Sequence, residues 1–112
     1  MRKIITFGEV LMRLTPDNYA TFAQTKSLSM EFGGGEANVG ITLAYLGEAA
    51  SHVTAFPDNY LGRSCTQFLR HHWLQTEDIQ YHKGRMALYF VEQGVVHRPS
   101  RVVYDRDATS FS

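Results

Sequence analysis

Cysteine is nearly absent from this 112-residue chain, and Cys65 alone excludes an internal disulfide and any multi-cysteine zinc module. A reducing compartment, the cytoplasm, is its simplest home. An excess of charge of either sign is missing too, since eleven Lys and Arg offset eleven Asp and Glu. A neutral chain lacks the basic surplus that displaces counterions from nucleic-acid phosphates or draws a protein to an anionic membrane. Neither partner is therefore expected. No apolar run approaches the ~20 residues of a membrane span. The run Ile4-Ile5 after Met1-Arg2-Lys3 stops at Gly8-Glu9, short of the ~7–15-residue core of a secretory signal. What remains is ordinary: 44% hydrophobic residues, enough for one modest core.

Punctuation by Gly, Pro and Asp divides the chain. Ile4, Ile5 and Phe7 form a short buried strand ended by Gly8, and Leu11 to Leu14 extends it to a turn at Thr15-Pro16-Asp17-Asn18. Leu28, Met30 and Phe32 alternate with polar residues, which predicts a half-exposed strand with those three on one face. Ala37 to Leu46 reads as a helix with Ala37, Ile41, Ala44 and Tyr45 on one side, widened by Leu43 and Leu46, and with Gly47 as its stop. Ser51 to Phe56 is a further strand. Asp58 is the expected cap of a second helix whose core face is Leu61, Cys65, Phe68, Leu69 and Trp73. Strand, helix, strand, helix predicts a parallel α/β layer. Beyond it, residues 85–92 and 95–106 predict a β-hairpin turning at Gln93-Gly94, with Pro99 marking an edge strand or bulge.

The loop Gly33-Gly34-Gly35-Glu36-Ala37-Asn38 lies between a strand and a helix, where backbone N–H groups meet oxygen-rich ligands. A dinucleotide fingerprint is disfavoured, because Asn38 occupies the third glycine position and Glu36 sets a negative charge beside a pyrophosphate. On the loop alone, a tight turn remains an equal alternative. Asn38 offers a donor and an acceptor, which suits vicinal hydroxyls, or else it caps the helix. Tyr104 and Arg106, two apart, share a strand face, and Tyr89 belongs to the partner run. Arg106 suits a planar carboxylate, or else pairs with Asp105 or Asp107. Val91, Val95, Val102 and Val103 offer an apolar face to a second copy. No histidine set has metal-ligand spacing, and Cys65 reads as core packing.

Taken together, Gly33-Gly34-Gly35-Glu36-Ala37-Asn38-Val39 running to Leu46-Gly47, the start Ile4-Ile5-Thr6-Phe7-Gly8-Glu9, and Asp58-Asn59-Tyr60-Leu61-Gly62 resemble the ribokinase-like, or PfkB, carbohydrate kinases. Within that family the likeness is to 2-keto-3-deoxygluconate kinases, which carry a Gly-Gly-x-Glu-x-Asn loop. Ribokinases have a sugar-binding aspartate after the first strand, and this chain has Arg13 near that place. The resemblance covers essentially the whole chain. It implies the N-terminal part of a ribokinase-like α/β sandwich with a β-sheet lid: core elements at about 1–10 and 33–80, lid strands at about 11–32 and 84–107. It also implies substrate contacts from Gly34, Gly35, Asn38, Tyr89, Tyr104 and Arg106, ATP and Mg2+ in the full-length enzymes, and a homodimer formed through the lid. The Gly-Ala-Gly-Asp motif that supplies the family's base and anion hole is absent, as is a P-loop, so no catalytic, nucleotide or metal residue is assigned within this chain. The expected function is sugar binding for a 2-keto-3-deoxygluconate kinase, with fructokinase or a non-catalytic sugar-binding or dimerisation module as alternatives.

Overall fold

The computed structural model describes residues 3–111. Eight strands and two α-helices follow the order β1 (Lys3–Phe7), β2 (Leu11–Pro16), β3 (Leu28–Gly33), α1 (Gly35–Tyr45), β4 (Ala49–Val53), β5 (Ala55–Pro57), α2 (Tyr60–His71), β6 (Gln80–His82), β7 (Ala87–Glu92) and β8 (Arg101–Asp105). The strands make three sheets. β1 pairs with β4 in parallel, β5 with β6 in parallel, and the third sheet runs β3-β2-β7-β8. Its central pair β2 and β7 is parallel, and both outer pairs are antiparallel.

The apolar spacing of α1 buries Ala37 and Ala44 and half-buries Ile41, as the period of the sequence requires. Gly47, at φ +93°, adopts the left-handed conformation that ends the helix. Its N–H donates to the Ala44 carbonyl and that of Glu48 to Leu43, each 3.1 Å, so the last carbonyls are satisfied. In α2, Cys65 and Leu69 are fully buried and join Phe56, Leu74 and Met86 in the core. Burying a Leu or Phe of this kind stabilises by about 1.5–3 kcal/mol relative to exposure.

Several expectations need correction. Leu11 does not prolong the first strand: Gly8–Val10 breaks the chain away, and β2 belongs to the four-stranded sheet. The segment 51–56 is two strands in two sheets, parted at Thr54. Asn59, not Asp58, caps α2, its side chain accepting the Gly62 N–H at 3.1 Å. Asp58 instead binds Arg63. Trp73 is 68% exposed, because α2 has ended and the chain turns there with φ +71°. Tyr45, Leu46 and Leu61 are exposed as well. So are Leu28 and Met30, since β3 is an outer strand and only Phe32 reaches the core, against Phe68.

The hairpin forms, but with a longer loop than Gln93-Gly94. Val95 and Arg98 pair across a tight turn, and Pro99 falls before β8, which is indeed an edge strand. That loop is tied down from a distance. Arg98 donates to the Tyr19 carbonyl, and buried Glu92 accepts the Phe22 N–H at 3.0 Å.

Candidate functional site

The loop leaving β1 and the glycine loop entering α1 face each other across a cavity of about 500 Å3. Gly8, Glu9, Gly34, Gly35, Glu36 and Arg106 line it. Gly34 is the residue preceding α1, and its backbone lies so close to the first loop that a Cβ there would sit 2.5 Å from the Glu9 carbonyl oxygen. A Cβ at Gly35 would meet nothing within 4 Å, so its bare backbone forms an open wall. Glu36, in the first turn of α1, suits the positive end of the helix dipole and covers Gly8. A larger cavity of about 660 Å3 adjoins, sharing Phe7 and Phe111, whose rings are 5.4 Å apart.

A buried histidine fixes the first loop. His52 stands opposite Thr6 in the β1–β4 register. Its Nε2–H donates to the Gly8 carbonyl at 3.0 Å, and its Nδ1 meets the Thr6 hydroxyl at 2.7 Å. Burial holds this imidazole below its ordinary range, although the Gly8 carbonyl and Glu36 pull the other way.

Arg106 stands at the rim just past β8. Its Nε donates to Glu9 Oε1 at 2.9 Å, and Thr109 donates to Glu9 Oε2 at 2.6 Å. Neither Asp105 nor Asp107 holds it; Asp105 pairs with Arg85. Tyr89 and Tyr104 lie opposite each other across β7 and β8, as the hairpin requires, with rings stacked 5.7 Å apart. The same transverse row continues through Arg13 and Glu31, so Glu31, Arg13, Tyr89 and Tyr104 share one face of the four-stranded sheet. Arg13 binds Glu31 at 2.5 Å.

Of the six expected site residues, Gly34, Gly35 and Arg106 meet at one cavity. Tyr89 and Tyr104 form a separate stacked pair on the sheet. Asn38 lies exposed inside α1 rather than capping it, because Gly34 holds the cap position. Sequence reasoning missed the role of Glu9, which is 97 residues from Arg106 and carries no local signal of that contact. The cavity's two carboxylates, Glu9 and Glu36, make it a poor cradle for a triphosphate, whose charge they oppose.

A parallel α/β unit, a strand-to-helix glycine loop and a flanking four-stranded sheet define the ribokinase-like fold. The chain belongs to the pfkB family of carbohydrate kinases, whose pattern it matches over residues 1–112. It is 41% identical to the crystal structure of a 2-dehydro-3-deoxygluconokinase from Thermotoga maritima, with a TM-score of 0.94 over 100% of this chain and 34% of that one. A 2-dehydro-3-deoxygalactonokinase from Haloferax volcanii is 35% identical over 104 residues, 93% of this chain and 33% of that protein. Fructokinase-2 from Solanum lycopersicum is 32% identical over 79% of this chain and 27% of its own length. The chain thus spans about a third of the relatives it matches.

Proposed function

We propose that this chain is the sugar-binding N-terminal portion of an ATP-dependent kinase acting on a 2-keto-3-deoxy sugar acid, with 2-keto-3-deoxygluconate as the favoured substrate. The observation that carries this reading is Arg106. It is held at the rim of the Gly34–Gly35 cavity with its terminal nitrogens unpartnered among the described residues. A guanidinium so placed receives a carboxylate through two parallel bonds, while close backbone at the glycines admits the polyol chain. Tyr89 and Tyr104 supply a hydroxyl-bearing wall on the lid, residues at about 11–32 and 84–107, and Asn38 supplies a donor and an acceptor at the helix start. The lid also mediates a homodimer in this reading, through the edge strand β8, where exposed Val102 stands beside half-buried Val91 and exposed Val103 takes the opposite face, with exposed Val95 in the hairpin loop.

Phosphoryl transfer from ATP with Mg2+ is mostly positioning and charge stabilisation. This chain's residues contribute the positioning of the sugar, and no transfer step is assigned to them. The fructokinase relative supports a neutral-sugar reading, whereas Arg106 at the cavity rim favours the sugar acid. Calorimetry with 2-keto-3-deoxygluconate and an ADP-release assay with MgATP test the assignment. Weak binding of the sugar acid and no sugar-dependent ADP release are expected of the 112-residue chain. Sugar-dependent ADP release by the pure chain would contradict the division of labour described here.

A further inference from the structure

Glu9 touches three residues in two other segments, the stretch past β8 and the glycine loop. Its side chain is 7% exposed, in the loop between β1 and β2. One carboxylate oxygen accepts the Arg106 Nε–H at 2.9 Å and the other accepts the Thr109 hydroxyl at 2.6 Å. Its main-chain oxygen lies against Gly34, where any Cβ would collide with it. The loop that carries Glu9 is itself pinned by His52 through the Gly8 carbonyl.

We propose that Glu9 is the positioning residue of the sugar-acid site, acting through Arg106; this rests on the substrate-binding role given to Arg106 above. A guanidinium has a side edge, which includes Nε, and an end edge formed by its two terminal nitrogens. Glu9 occupies Nε, so the end edge is left for a ligand carboxylate. Without that grip, Arg106 is a half-exposed side chain on an edge strand's end, free to spread over many rotamers at an entropic cost to binding. The negative charge of Glu9 alone works against an anionic ligand, so its value to the site lies in its geometry rather than its charge.

That distinction sets the test. The probes are 2-keto-3-deoxygluconate and neutral fructose, titrated calorimetrically into the chain, with the Arg106 Nε–H signal followed by 15N NMR. Wild type and Glu9→Gln, which keeps an acceptor for Nε, are expected to show a dispersed, slowly exchanging Nε–H and a preference for the acid. Glu9→Ala is expected to lose the signal and at least fivefold of that preference. Glu9→Asp, which keeps the charge but shortens the reach, behaves the same way and stands in if the alanine variant does not fold. An unchanged Nε–H signal in Glu9→Ala or Glu9→Asp would overturn the proposal, as would an equal loss of affinity for both sugars. A gain in acid affinity in both Glu9→Ala and Glu9→Gln would show a purely electrostatic role and also overturn it. Should Arg106→Ala leave the acid preference of wild type intact, the sugar-acid reading fails, while the Nε–H signal still judges the contact with Glu9.

Discussion

Tyr89 and Tyr104 lie directly opposite one another on β7 and β8, their ring centroids 5.7 Å apart and their planes 20° from parallel. The pair sits in the same row as Arg13, so one end of the stack is flanked by a cation that Glu31 holds. Such a pair is worth about 0.5–1.5 kcal/mol beyond the area it buries. A double-mutant cycle of Tyr89→Leu and Tyr104→Leu, read by urea denaturation, is expected to return a coupling of about that size. Beyond that coupling Tyr104, 64% exposed, is expected to add little, so Tyr104→Leu in the Tyr89→Leu background should be nearly neutral.

Gly34 and Gly35 separate packing from ligand access. Gly34→Ala forces a methyl group to within 2.5 Å of the Glu9 carbonyl oxygen, and backbone cannot yield cheaply. A loss of about 1–3 kcal/mol is expected on denaturation. Gly35→Ala has open space around it and occupies the first helical position, so stability should hold or rise by up to about 1 kcal/mol. Sugar affinity should nevertheless fall, because the added methyl stands in the cavity. Equal stability losses for the two variants would contradict this assignment.

His52 predicts a pH dependence with a definite sign. Burial lowers its folded pKa below the ordinary value of 6.5, so the unfolded chain takes up a proton that the folded chain resists. Stability from this group is therefore fully present above about 6.5 and declines as pH falls below it, levelling off under the folded pKa. Thermal melts between pH 7.5 and 5 (roughly the window the imidazole spans) should show a falling midpoint. His52→Asn should flatten part of that slope while lowering the midpoint at neutral pH, since the Gly8 carbonyl loses its partner.

Much of this was legible in the chain because the signals were local. The period of Ala37, Ile41 and Ala44, the stop at Gly47 and the glycine loop between strand and helix all depend on neighbours within a few residues. Trp73 misled because its spacing continues the core stripe of α2 past the point where the helix ends, and no glycine marks that end. Leu28 and Met30 alternate correctly, but strand order decides whether a face is covered, and β3 lies at an edge. The hairpin loop runs beyond Gln93-Gly94 with Arg98 anchored on Tyr19, 79 residues away, a contact that carries no local signal. Arg106 carries a local chemical signal, a guanidinium two residues from Tyr104, whereas its contact with Glu9 is defined only by the fold that brings the first loop to the last strand.

In the proposed reading, Arg106 selects a sugar acid at the glycine-lined cavity. The most direct test is the ratio of calorimetric affinities for 2-keto-3-deoxygluconate and fructose, measured on wild type and on Arg106→Ala. One charge-assisted contact of about 1.5–3 kcal/mol predicts an acid preference of tenfold or more in wild type, falling to near unity in the variant. A preference that survives the loss of Arg106 undiminished would contradict that selection.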